Sequence, residues 1–192
     1  MLSFPLIMEL VAVTAGLIYI LLAAKNDIRC WYFGILGTAI WVWVTVEVYS
    51  LYADGLLNFF YVIMGFVGWY QWKKGGSDGS ELPVGQISVR SLLLILLAGL
   101  VFSFAGGRFL AQYTPAMATY WDASTTVFSI IATFMLIQRK IENWPLWIVT
   151  NAAYIGLYLT RGAYGFAALF VIYTVLAFYG WQSWKRELRS QV

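Results

Sequence analysis

The sequence predicts an all-α polytopic membrane protein: seven transmembrane helices in a three-plus-one-plus-three order, two like-oriented triple-helix bundles joined by a single helix. Three observations predict it. Of 192 residues, 61% are hydrophobic and 11% charged, whereas a soluble domain sits nearer ~45–50% apolar and ~25% charged. The apolar residues fall in seven runs separated by polar stretches. The segment "GWYQWKK" at 68–74 returns as "GWQSWKR" at 180–186, 112 positions later, each time closing an apolar run.

A crossing of the ~30 Å hydrocarbon core takes about 20 mostly apolar residues. On that measure the spans fall at 6–24, 28–47, 53–72, 88–111, 122–138, 143–160 and 164–183. The first has no basic n-region before it and no small-residue cleavage site after it, so it is expected to be a retained helix. The third and fourth are separated by "KKGGSDGSELPVGQIS" at 73–88, whose Gly, Ser, Pro and charges cannot lie in lipid. The fifth is short for a span. At the sixth, Asn143 is expected to cap the N-terminus, with Pro145 in the first turn, where a missing N–H is harmless.

Composition also excludes. The chain has no His, the commonest general base and metal ligand, so metal, Ser-His and Cys-His chemistry lose their usual partner. A single Cys, Cys30, allows no internal disulfide. The net charge of +3 is too small to argue for nucleic acid. No enzyme, metal site or cofactor is expected.

Charge sets the topology. Lys25, Arg29, Lys73, Lys74, Arg90, Arg139, Lys140, Lys185, Arg186 and Arg189 collect on one side of the seven spans, and only Arg108 and Arg161 on the other. Lys and Arg in short loops mark the cytoplasmic face. The N-terminus is therefore expected outside and the C-terminus in the cytoplasm.

The doubled Gly-Trp-x-x-Trp segment extends backwards. At offset 112, Tyr61 falls on Tyr173, Leu57 on Leu169 and Tyr52 on Tyr164. Across one small deletion the offset becomes 113, and Trp31 falls on Trp144, Ile35 on Ile148, Thr38 on Asn151, Ile18 on Ile131 and Glu9 on Asp122. Spans one to three thus correspond to spans five to seven. Partners lie four spans apart, an even number, so the halves point the same way. The expected divisions are residues 1–74 as the first bundle, 75–121 as cytoplasmic loop and linker helix, and 122–192 as the second bundle and C-terminus.

Halves related by an axis along the membrane normal are expected to hold substrate between them near midplane. No charge lies clearly at a span centre; Glu9, Glu47, Asp54 and Asp122 sit near outer ends. The polar groups within the spans are uncharged. Thr125, Ser129 and Thr133 follow one another at steps of four, on one helix face, where small hydroxyl residues ordinarily serve packing. Asn58 and Asn151 are more costly to bury and so better site candidates. Thr38, Tyr154 and Ser129 join them. Trp144, Trp147 and Asn151 are spaced i, i+3, i+7 in "ENWPLWIVTN" and form one stripe of the sixth span, ~10 Å long. Trp144 also suits an interface belt. Trp147 lies a turn deeper, and an indole followed by an amide can stack a flat cationic aromatic ligand and hydrogen-bond its polar edge.

These residues resemble a known family. Trp144, Trp147 and Asn151 form the W-x-x-W-x-x-x-N pattern of the Pnu vitamin transporters, whose PnuC-type members carry nicotinamide riboside. "WDASTTVFSIIATFMLIQRKIENWPLW" is similar to that family's fifth-to-sixth span region, and "YVIMGFVGWYQW" to its third span. The resemblance covers nearly the whole chain. It implies a full-length SWEET-like arrangement, often a homotrimer, in a bacterial inner (plasma) membrane. It further implies uptake of a vitamin by facilitated diffusion, with trapping through phosphorylation by a separate cytoplasmic kinase. In "FGILGT", Gly37 stands where the family pattern often shows Asn, which brings thiamine forward as the alternative substrate beside nicotinamide riboside; riboflavin is a third. A vitamin-binding subunit of an energy-coupling-factor transporter is the competing class, but such subunits typically have six spans and no such repeat.

Overall fold

The computed structural model describes residues 3–50, 52–113 and 119–191. They form seven helices: α1 (Phe4–Ala24), α2 (Cys30–Trp43, continued by a π-helical turn, Val44–Val48), α3 (Tyr52–Lys74), α4 (Val89–Tyr113), α5 (Thr119–Ile137), α6 (Asn143–Thr160) and α7 (Tyr164–Ser190). Each predicted span has its helix. The fifth starts three residues earlier than its apolar run and reaches 19 residues. The seventh runs on to Ser190, because Gln, Lys, Arg and Glu are good helix formers outside the lipid too. Five helices, α1, α2 with its π-turn, α4, α5 and α7, are long and apolar enough to cross a membrane. In α3 and α6, Asn, Gly, Trp and Tyr dilute the hydropathy.

The chain divides into two compact units, Met1–Pro83 and Val84–Val192. The first holds α1 to α3, with α2 packed on both α1 and α3; the second holds α4 to α7, with α6 packed on both α5 and α7. The helix expected as a linker, α4, packs on α5 inside the second unit. It does so through a stripe of small buried residues, Gly99, Ser103 and Gly107, at steps of four. A Cβ on Gly107 would lie 2.3 Å from the Tyr120 ring, and one on Gly99 2.8 Å from Ile131. Close backbone approach is the usual basis of helix association in lipid, where apolar surface alone gives no preference. Within the predicted 75–121 segment, residues 114–118 lie outside those described.

Local features recur at the offsets read from the sequence. Helix α1 ends on Asn26 in the left-handed region (φ 57°), with Asn26 N–H donating to Ala23 and Asp27 N–H to Leu22. Helix α5 ends in the same way 113 residues later: Arg139 has φ 50°, its N–H donates to Leu136, and Lys140 N–H donates to Met135. Both are Schellman caps, which satisfy the last carbonyls of a helix. Ser50 (φ 55°) and Gly162 (φ 69°), 112 apart, stand just past the π-turn and α6.

At the helix ends opposite the doubled motif a second pair of features matches. The Tyr49 hydroxyl donates to Glu9, and Arg161 Nη2 donates to both Asp122 oxygens at 2.9 and 3.0 Å. Each ties the loop after the unit's middle helix to the helix before it. The hydrogen bond to Glu9 raises the Tyr49 hydroxyl above its ordinary pKa.

The π-turn is where the two halves differ in length. From Thr38 to Tyr52 there are 14 steps and from Asn151 to Tyr164 there are 13. A π-turn houses one residue more than an α-turn, and Val44–Val48 lies inside the longer interval.

The ends carrying the doubled motif are packed more deeply than an interface belt. Trp72 and Trp184 are fully buried, while Trp69 and Trp181 are half-buried. Trp72 meets Trp31 edge-on with centroids 5.4 Å apart, and Trp184 meets Trp144 at 5.4 Å in the other unit. Lys73 Nζ lies 4.8 Å from the Trp69 ring and Lys185 Nζ 5.0 Å from the Trp181 ring. The halves of the motif thus divide into a packing Trp and a Trp that meets a cation.

The segment after the third helix is held at its far end. Gly85 N–H donates to Arg139 O and Gly85 O accepts from Ile141, both at 3.0 Å, a parallel bridge to the α5–α6 turn. Ile87 N–H donates to Glu142 Oε1 at 3.0 Å. Ser88 then caps α4, its Oγ accepting from Ser91 N–H at 3.1 Å.

Candidate functional site

The predicted site residues fall in both units. In the first, Thr38 on α2 donates its hydroxyl to Gly34 O at 2.8 Å, and Asn58 on α3 donates Nδ2 to Asp54 O at 2.9 Å. Both are half-buried and both bonds run back into the residue's own helix. The Thr38 hydroxyl oxygen and the Asn58 carbonyl oxygen retain acceptor capacity.

In the second unit the tryptophan stripe of α6 separates by depth. Asn143 is the first residue of α6 rather than its cap; Glu142 holds the cap position without a side-chain bond to the first turn of the helix. The Asn143 side chain is fully buried and donates to Lys140 O, tying α6 back to the preceding turn. Trp144, 3% exposed, lies edge-on to Trp184 and flat over Gly180, where a Cβ would come within 2.6 Å of its ring. Its Nε1–H is buried without an acceptor, and so is that of Trp31. Because Trp31 belongs to the half without the W-x-x-W-x-x-x-N pattern, this orphan donor characterises the packing node and does not by itself mark a ligand.

Trp147 is half-buried. Asn151, a turn further along the same face, is 4% exposed. In the first unit Gly34 stands at the Trp147 position, and a Cβ there would lie 2.9 Å from the Tyr19 ring. Tyr19 in turn corresponds to Ala132 in the second unit. The bulk has changed places: the large ring sits on the first helix of one half and on the middle helix of the other.

Ser129 and Tyr154 are brought together across α5 and α6, with Ser129 Oγ 3.5 Å from the Tyr154 hydroxyl, at the outer limit of a hydrogen bond. Thr125 and Thr133, on the Ser129 face, bond backwards to Trp121 and Asp122 and to Ser129. They serve helix packing.

Sequence reading missed the aromatic series that continues outwards from Tyr154. Tyr154 lies 4.6 Å from Phe170 and is stacked on Tyr158 at 6.0 Å, and Tyr158 is stacked on Phe166 at 5.3 Å. The steps of four from Tyr154 to Tyr158 and from Phe166 to Phe170, on consecutive helices, were its available signal.

The second-unit arrangement offers an accessible indole face, a buried amide and a phenol–hydroxyl pair, all uncharged. It suits a flat aromatic cation carrying hydroxyls: the ring electrons attract the positive charge, and the amide and hydroxyls pair the polar edge.

Comparison with known proteins agrees over the full length. A family model described as nicotinamide mononucleotide transporter matches residues 6–186. The nicotinamide riboside transporter PnuC of Escherichia coli (strain K12) is 24% identical over 208 residues, covering 95% of this chain and 87% of the relative. The PnuC of Neisseria mucosa is 28% identical over 191 residues, covering 93% and 72%. A crystal structure of the vitamin B3 transporter PnuC matches with a TM-score of 0.77 at 25% identity, covering 96% of this chain and 83% of that one.

Proposed function

The chain belongs to the nicotinamide mononucleotide transporter family, and on that premise we propose that it carries nicotinamide riboside into a bacterial cell across the inner membrane. The observation that carries this reading is the face formed by Trp147 and Asn151 on α6, uncharged and shaped for a flat cationic ring. The relatives named as nicotinamide riboside transporters support that choice of substrate.

Transport is by facilitated diffusion, since no carboxylate or lysine occupies a span centre where ion coupling would place it. A separate cytoplasmic kinase makes uptake one-way by phosphorylating the vitamin. The protein acts as a homotrimer, with N-termini outside and C-termini in the cytoplasm. Trp147, Asn151, Ser129 and Tyr154 of the second unit bind substrate; Trp144 holds α6 against α7, and within the first unit Asn58 and Thr38 present acceptor oxygens of their own.

We read the architecture as seven spans in a parallel three-plus-one-plus-three repeat, SWEET-like in order. The paired caps at Asn26 and Arg139, the paired Trp nodes and the π-turn support a duplication. Counting α3 and α6 as spans, alongside the five more apolar helices, is required to keep the basic residues on one side.

Uptake of labelled nicotinamide riboside, thiamine and riboflavin into liposomes containing only this protein tests the proposal. Nicotinamide riboside is expected to equilibrate without any ATPase. No uptake of any of the three would refute the facilitator. Equilibration of thiamine alone would establish the second reading, which Gly37 favours.

A further inference from the structure

Helices α4 and α6 both pack on α5, and between them runs a groove of about 610 Å³. Leu92, Leu96 and Leu100 of α4 form one wall at steps of four, Leu146 and Val149 of α6 lie in the other, and Phe128 of α5 lies in the floor. The hydroxyls that reach it give their protons to their own helices: Ser124 to Tyr120 O, Thr125 to Trp121 O and Thr150 to Leu146 O. The lining is therefore apolar in effect. At the far end the Trp121 indole N–H donates to Ala153 O at 3.0 Å, closing the groove between α5 and α6.

Its length and its mouth identify the occupant. From Glu142 to Ala153 along α6 is ~16 Å at 1.5 Å per residue, close to half of a ~30 Å hydrocarbon core, the depth of one leaflet. On the topology proposed above, Glu142 stands at the cytoplasmic end. One oxygen of its carboxylate accepts from Ile87 N–H; the other, Oε2, is buried with no partner. A buried carboxylate oxygen calls for a donor. Lys140 lies two residues before Glu142, and Arg90, in the first turn of α4, lies three residues after Ile87, the donor to Glu142. A carboxylate flanked by cations, above a leaflet-deep apolar groove, complements a headgroup with both an ammonium and a phosphate.

We propose that the α4–α5–α6 groove binds a phosphatidylethanolamine of the cytoplasmic leaflet, with one acyl chain along Leu96, Phe128 and Val149 and the headgroup ammonium paired with the carboxylate of Glu142, whose partly exposed side chain lines the groove. Phosphatidylcholine has the same charge and chains, but its trimethylated ammonium has no N–H to donate. The site lies apart from the Trp147–Asn151 face, so lipid preference and vitamin transport can fail separately.

The test is lipid retention, by native mass spectrometry, on protein extracted from nanodiscs of equimolar phosphatidylethanolamine, phosphatidylcholine and phosphatidylglycerol. Phosphatidylethanolamine is expected to be retained about tenfold over phosphatidylcholine, the order of effect of one charge-assisted hydrogen bond. Glu142→Gln should remove that preference, and Val149→Trp should reduce retention of every lipid. Val149 is 67% exposed, so the larger side chain fills the groove without disturbing a packed contact. Equal retention of the first two lipids would overturn the proposal, as would wild-type retention by Val149→Trp. Preference for phosphatidylglycerol, or a groove covered by a second copy with no lipid retained, would overturn it too.

Discussion

Trp144 stands edge-on to Trp184 across α6 and α7, at an interplanar angle of 88°, and Trp31 stands edge-on to Trp72 across α2 and α3 at 87°. Two helix pairs of one chain are locked by the same contact. Large-to-small substitution in such a node removes buried ring area and leaves a cavity. Trp144→Ala and Trp31→Ala are each expected to destabilise by about 3–5 kcal/mol, read as a lowered unfolding temperature in detergent.

Trp147→Ala should behave differently. The ring is half-buried and less enclosed than Trp144, so the loss of stability should be smaller than for Trp144→Ala while vitamin binding falls at least about tenfold, the effect of losing one desolvated cation–π contact. Intrinsic fluorescence titration with nicotinamide riboside measures it. Equal loss of binding in Trp147→Ala and in Trp69→Ala, a half-buried tryptophan of the first unit, would contradict the assignment.

Asn151 and Tyr154 can be ranked. Asn151 is buried and polar, so Asn151→Leu should weaken binding strongly, whereas Tyr154→Phe removes only a hydroxyl whose contact with Ser129 is long. The expected loss for Tyr154→Phe is within about tenfold, in line with ~1 kcal/mol for a neutral hydrogen bond. Uptake rates in liposomes at subsaturating vitamin distinguish the two.

The glycines beneath the Trp nodes provide a stability test independent of the site. A Cβ at Gly180 would lie 2.6 Å from the Trp144 ring and one at Gly68 2.3 Å from the Trp31 ring. Gly180→Ala and Gly68→Ala should each destabilise by about 1–3 kcal/mol through overpacking, in thermal unfolding. At Gly165, where an added Cβ meets nothing, Gly165→Ala should be neutral or stabilising.

Deleting Val46 should convert the π-turn into an α-turn. The outer half of α2 would then match α6 in length, and folded protein should still be obtained. Deleting Leu157, buried in a regular stretch of α6, should abolish it. Monodispersity of the two variants on size exclusion measures the difference.

Much of this was legible in the sequence because a bilayer leaves few choices. Seven apolar runs became seven helices, and Gly68 and Gly180 with their tryptophans located matching nodes. The roles of individual tryptophans were not legible. Trp144 suited an interface belt by its depth, yet its environment is set by Gly180 on a different helix, 36 positions away, and it is packed inside the protein. Asn143 looked like a cap because Asn often is one; its amide instead reaches back to Lys140 O. The Schellman caps could be missed because their left-handed residues are Asn26 and Arg139, and an arginine gives no such signal.

The π-turn at Val44–Val48 has a consequence for descent. One added residue in an α-helix turns everything beyond it by ~100° and moves it ~1.5 Å, which in a packed membrane bundle swings packed side chains toward lipid. Here the surplus is confined to a single loop of backbone, and Tyr52 onwards keeps the facing of Tyr164 onwards. On the proposed duplication, a difference in length between the two copies was absorbed in the helix instead of being purged. The two halves of such a protein are therefore free to diverge in length as well as in side chains, and asymmetry can accumulate without loss of the fold.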